Sequence, residues 1–317
     1  VGYEIMCRLG NSISATLHKV GFHPTGVIGA FGAAAAAGRL AGLDSTQMEA
    51  LFGIMVSMAS GSMQYLDNGA WNKRLHPGFA AHNALIGVQL VKAGVIGATQ
   101  SIEGDFGLLK AYGCSSSIDS CIIDKIGQVW EAQNTAIKPY ACCRLIHGAI
   151  DAIYALRRES VSTRDAQIEI LISKKGFLIV GNPAPNKVNP MNVVDAQFSI
   201  FYHAAVAWLY GHNDWTAYRY LEDENVRYLS SRVRILVDDD VPDESLRTVV
   251  VADGKSVRIE YPLGEPENPI SREDSMFKFR LMADEVYGEA RATDIYVGVN
   301  RLFDQAEVMS FIKSLAL

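Results

Sequence analysis

The chain has 317 residues, with 29 Lys and Arg against 35 Asp and Glu, giving a formal net charge of −6. Hydrophobic residues make up 49% and charged residues 20%, which excludes wholesale disorder and supports one large domain or two modest ones. The acidic balance excludes non-specific nucleic-acid binding, which needs a basic surface, but not a small anion held by a few local cations.

In chain order, the first part reads as helical. Gly29–Leu43 is rich in Ala and Gly, and Asp44 or Ser45 caps a second helix over Thr46–Ser60. Phe79–Ala93 is a third helix, stopped at Gly94, and Ser117–Val129 a weaker fourth. Mostly apolar faces predict buried, tightly packed helices. From about Thr135 the texture changes. His147–Arg158 repeats Ile150, Ile153 and Tyr154 at helical spacing. Ala166–Ser173 and Val233–Val237 read as strands, and Thr248–Ala252 and Ser256–Tyr261 flank Asp253-Gly254, a type I′ hairpin signature. Val194–Tyr210 is a helix, Glu265–Pro269 a loop, and Ser271–Tyr287 and Asp304–Leu315 the closing helices, with Ser271 and Asp274 as a capping pair. The order predicts a mostly α protein with an inserted α+β domain. Residues 1–134 form a helical domain, 135–264 the insertion, and 265–317 helices that return to the first domain.

The five cysteines at 7, 114, 121, 142 and 143 form no even disulfide framework, and the adjacent Cys142-Cys143 has neither redox nor zinc spacing. A reducing compartment is expected. Val1–Gly10 carries Glu4 and Arg8 and lacks the apolar core of a signal peptide. The longest small and apolar run, Gly26–Gly38, is too short to cross a bilayer, so no membrane partner is expected. Gly254-Lys255-Ser256 lacks the upstream glycine of a phosphate loop, and no metal, dinucleotide or serine-hydrolase motif is present.

Three clusters carry reactive side chains. Gly21-Phe22-His23-Pro24-Thr25-Gly26 puts His23 before a buried helix, where the dipole favours a neutral imidazole able to act as a base; a structural, hydrogen-bonded His fits equally well. Lys73-Arg74-Leu75-His76 precedes the helix starting at Phe79 and reads either as an anion site or as a solvated basic turn. Lys138-Pro139-Tyr140-Ala141-Cys142-Cys143-Arg144 and His147 gather at the domain junction. There Arg144 could clamp a carboxylate and Lys138 could serve as a point charge or an acid. The plain alternative for each cysteine is a small buried residue.

Taken together, Gly2-Tyr3-Glu4, Gly21–Gly26, Phe31–Ala36, Gly42-Leu43-Asp44, Lys73-x-Leu75-His76-x-Gly78, Lys138-Pro139-Tyr140, Asp195–Ser199 and Asn268-Pro269 resemble, in order, the MmgE/PrpD family. The resemblance implies a helical domain with an inserted α+β lid, and a homodimer through the helical part. It implies a lyase or isomerase without metal or other cofactor, acting next to a carboxylate of a small di- or tricarboxylate. The leading expectation is 2-methylcitrate dehydration, with cis-aconitate decarboxylation or epimerisation of an imino dicarboxylate as alternatives. The resemblance implies that His23, Lys73, His76 and Lys138 line the pocket; together with the three clusters this gives His23, Lys73 and Lys138 as the expected catalytic residues, and Thr25, His76, Tyr140, Cys142, Arg144 and His147 as the expected substrate-binding ones. The expected compartment is the cytoplasm, or the mitochondrial matrix in a eukaryote. Ala141 stands where the family usually has Pro. The family also carries an upstream helical segment with an Asp-rich motif and a second pocket His, for which His18 is the only nearby candidate. From this follow the expectations of bared apolar surface on the helical domain and of a rival role as a non-catalytic, dimerising helical scaffold.

Overall fold

A computed structural model describes residues 1–112, 122–304 and 308–315. The chain divides into two compact units, Val1–Thr135 and Ala136–Leu317. The C-terminal helices, expected to return to the first domain, are grouped with the second unit.

The first unit is built on four long helices: α1 (Gly2–Lys19), α2 (Pro24–Leu40), α3 (Ser45–Met58) and α4 (Asn72–Lys92), followed by a short α5 (Leu108–Ala111). α1 forms where no helix is predicted. Its buried stripe is Leu9, Ile13 and Leu17, spaced by four, and the (i, i+4) pair Glu4–Arg8 is buried with it. Arg8 also donates to the carbonyls of Asp124 and Val129, so α1 fastens the segment before Thr135. α2 lies at the centre, packed on α1, α3 and α4. Its small residues allow this, and the core is Val27, Ile28 and Phe31 against Leu51, Met55, Ala84 and Val88.

Two helices start earlier than expected. α2 begins at Pro24 rather than Gly29, because Pro at the first position is preset for helix and forfeits only an N–H that would be unpaired anyway. α4 begins at Asn72 rather than Phe79 and runs through Pro77, so Lys73, Arg74 and His76 lie inside the helix rather than ahead of it. α3 is capped as expected: Asp44 accepts from the Gln47 N–H and the Gln47 side chain answers on the Asp44 N–H. Of the expected helix over 117–129, residues 117–121 lie outside the described residues, and 122–129 form turns.

The second unit pairs helices with a four-stranded sheet of order β2-β1-β3-β4, where β1 is Ile168–Ile172, β2 Arg234–Val237, β3 Thr248–Ala252 and β4 Lys255–Ile259. β1 and β2 are parallel, the other pairings antiparallel. The β3–β4 hairpin turns at Asp253 and Gly254, both with positive φ (49° and 76°), as a type I′ turn requires. α6 (His147–Arg157) packs on β3 and β4 and against the helix Ile200–Tyr210. That helix is buried from Ile200 to Trp208, which explains its apolar run, interrupted at His203. The expected helix 194–210 is two, Val193–Gln197 and Ile200–Tyr210, because the Ser199 hydroxyl caps the second by accepting from the Tyr202 N–H. Ser271 caps Arg272–Tyr287 as expected, and a further helix, Glu289–Asn300, follows Gly288. Among the described residues no helix is long and apolar enough to cross a membrane.

Candidate active site

In the first unit the chain brings two distant histidines together. His23 is the N-cap residue of α2. Its backbone N–H donates to the Gly61 carbonyl at 2.7 Å, Met63 N–H donates to the Gly21 carbonyl at 2.8 Å, and Phe22 and Ser62 form an antiparallel bridge. This clasp fixes His23 against the segment leading into α4. His76, in the second turn of α4, lies with its ring on Gly61. A Cβ at Gly61 would sit 3.2 Å from His76 Nδ1, and φ there is 143°, so the position suits only glycine. The result is a contact of 3.0 Å between His23 Nδ1 and His76 Nδ1. The buried Tyr65 ring stands edge-on to both imidazoles, with centroids 6.0 and 5.9 Å away.

Burial holds the His23 imidazole down at about 4, with the Lys73 cation, His76 and His18 acting in the same direction. Burial and then Lys73 also lower His76. Both rings are therefore neutral at pH 7. The two cations of the Lys-Arg pair separate: Lys73 is half-buried near the histidines, while the exposed Arg74 guanidinium lies over the Trp71 ring, 5.2 Å from its centroid. Thr25 is half-buried in the first turn of α2.

The remaining expected site residues lie in the second unit. Lys138 Nζ donates to the Cys142 carbonyl at 3.1 Å, and Lys278 Nζ donates to the Lys138 carbonyl at 2.7 Å. The Tyr140 hydroxyl donates to Asp151 Oδ1, while Asp151 Oδ2 accepts from the Leu263 N–H at 2.7 Å. Burial, then Asp151, pushes the Tyr140 hydroxyl far above its ordinary range, so it stays protonated and keeps donating. Cys142 is buried and its thiol is likewise pushed well up by burial, so it is a neutral side chain at pH 7. Arg144 has a carboxylate partner of its own: its Nε lies 2.5 Å from Glu265 Oε1, and Nη2 donates to Oε2. His147, the first residue of α6, is 1% exposed, and its Nε2 has no hydrogen-bond partner among the described residues. Burial, then Lys138, holds its pKa down at about 3. Beside this loop, within the unit, is a cavity of about 210 Å³ lined by Tyr140, Tyr154, His212, Asn213, Phe277 and Lys278, among others.

Three participants escape the sequence motifs: Tyr65, Asp151 and Glu265. Asp151 left a trace, as a carboxylate amid the apolar residues of α6. Tyr65 and Glu265 left none, since only the fold brings them to His76 and Arg144. Among the described residues no group of three or more His, Cys, Asp or Glu side chains could hold a metal ion.

The chain thus holds a helical unit carrying a paired-histidine centre and a second unit with a small mixed sheet. Residues 1–120 match the MmgE/PrpD N-terminal domain and residues 140–302 the MmgE/PrpD C-terminal domain; the chain belongs to the MmgE/PrpD family. It is similar to a cis-aconitate decarboxylase of Aspergillus terreus, with 28% identity across 98% of this chain and 69% of the relative. It is also similar to the Homo sapiens cis-aconitate decarboxylase, with 27% identity across 90% of this chain and 61% of the relative. A cis-aconitate decarboxylase-like protein of Aspergillus oryzae is 30% identical across 50% of this chain and 34% of its own length.

Proposed function

We propose that this protein is a lyase acting next to a carboxylate of a small di- or tricarboxylate. The observation that carries the reading is the neutral His23–His76 pair with Lys73 close by, in a chain similar over nearly its full length to proteins named cis-aconitate decarboxylase. Removing a proton or CO2 beside a carboxylate leaves an electron pair that a cation must stabilise and an acid must quench. Lys73 and Lys138 are assigned to the carboxylates, and His23 to proton transfer. His76, Thr25, Tyr140, Cys142, Arg144 and His147 keep their assignment as substrate contacts. Arg144 reaches a substrate only by sharing or leaving Glu265. Of the three reactions expected from the sequence, the relatives' names favour decarboxylation over dehydration and epimerisation.

The test is proton NMR of the protein mixed separately with cis-aconitate, 2-methylcitrate and iminodisuccinate. Loss of CO2 from cis-aconitate is the expected result. Dehydration of 2-methylcitrate or epimerisation of iminodisuccinate would reassign the reaction within the family, and no turnover of any of the three would favour the non-catalytic scaffold.

A further inference from the structure

The contact between His23 and His76 is made Nδ1 to Nδ1. A neutral imidazole carries one proton, on Nδ1 or on Nε2, and the other nitrogen accepts. A hydrogen bond between two Nδ1 atoms therefore requires two different tautomers. One ring has Nδ1–H and a bare Nε2; the other has a bare Nδ1 and an Nε2–H. Charging both rings would set two donors face to face 3.0 Å apart, beside Lys73 and within the influence of His18. The fold imposes the arrangement: the Gly21–Met63 clasp holds one ring, Gly61 backs the other, and the buried Tyr65 ring walls both.

We propose that His23 and His76 form a neutral proton relay: a proton enters at the bare Nε2 of one ring, crosses between the two Nδ1 atoms, and leaves from the Nε2 of the other. The step balances. The entering proton forms an N–H bond at the first Nε2; the Nδ1–H bond of that ring breaks as one forms on the second Nδ1; the second Nε2–H bond breaks to release a proton. Both rings exchange tautomers, both stay neutral, and no redox partner is needed. This rests on the lyase reading above. In decarboxylation the C–C bond breaks, CO2 departs without the bonding pair, and the pair left on carbon takes the proton released at the second Nε2. Solvent supplies the first. His76 thereby becomes part of the proton path rather than a substrate contact.

The experiment has two arms on the full chain. The first is long-range 1H–15N NMR of protein labelled with 15N-histidine at pH 7 without substrate, with His23→Asn and His76→Asn used for assignment. One ring of each tautomer, both neutral, is expected; two rings of one tautomer, or one imidazolium, would overturn the relay whether or not the protein turns over substrate. The second arm is the kinetics of His76→Asn, whose amide can occupy the hydrogen-bonding place of Nδ1 but cannot pass a proton on. A kcat at least ~100-fold lower with KM little changed is expected, since general acid–base steps contribute about 10²–10⁴-fold. An unchanged kcat in His76→Asn would show that a hydrogen-bonding side chain suffices at this position and would overturn the proposal. Absence of turnover in the parent, with the tautomer pattern present, would overturn the lyase reading and leave the dyad standing.

Discussion

At the scale of single residues the chemistry turns on imidazoles kept neutral by burial. His203, fully buried, hydrogen-bonds Asn213 Oδ1 through Nδ1 at 2.6 Å, and burial holds it down at about 4. Its folded pKa lies below the unfolded 6.5, so the unfolded chain takes up the proton first as pH falls. Its contribution to stability is complete above pH 6.5 and is lost as pH falls towards 4, amounting to about 3 kcal/mol. Urea denaturation of His203→Asn, which keeps an amide near Nδ1, should accordingly show a flatter loss of stability between pH 6.5 and 4 than the parent. At the candidate site, Lys73→Met should raise the His23 titration midpoint from about 4 without restoring 6.5, because burial is the larger cause. NMR titration of the ring reads this directly, and an unmoved midpoint would place Lys73 away from His23 in solution. Much of this was legible in the motifs: His23, Lys73 and His76 stand out by type and spacing. Their pairing was not, because the two histidines meet only through the clasp between Gly21 and Met63.

Among the elements, the local signals that succeeded were turn and cap chemistry. Asp253-Gly254 gave the hairpin and Asp44 gave the start of α3, since both act over a few residues. The misses were tertiary. Gly10, Asn11, Ser12 and Thr16 make α1 a poor helix by propensity, and it is held by burial of Leu9, Ile13 and Leu17 and by the Glu4–Arg8 pair. Pro77-Gly78 reads as a break, yet α4 passes through it because its packing on α2 outweighs one lost backbone bond. The joint between these elements is testable at Gly61. Gly61→Ala must hold a side chain at φ 143° and press on the His76 ring, so a loss of about 1–3 kcal/mol is expected in chemical denaturation, together with a perturbed His76 signal. An Ala variant as stable as the parent would show that the clasp relaxes freely.

At the scale of the whole molecule, one side of α4 stays exposed and apolar: Trp71, Leu75, Phe79, Leu85 and Ile86 are 71%, 51%, 56%, 61% and 40% accessible. Such a stripe exceeds the scatter of single surface hydrophobics. We propose it as the contact of the homodimer implied by the family, and sedimentation velocity of Leu85→Glu/Ile86→Glu should then report a smaller species than the parent. Identical sedimentation of the two would remove α4 from that role. The sheet of the second unit was legible strand by strand but not in its order, because β1 pairs with β2 across the whole intervening helical stretch, Glu169 facing Arg234. That order carries a kinetic consequence. The β3–β4 hairpin closes a two-residue turn, whereas the parallel β1–β2 pair must first gather the buried helix Ile200–Tyr210 and its neighbours. Assembly of the sheet should therefore begin at the hairpin, with the joining of β1 as the slow step, because its pairing with β3 and its pairing with β2 both close over that helical stretch.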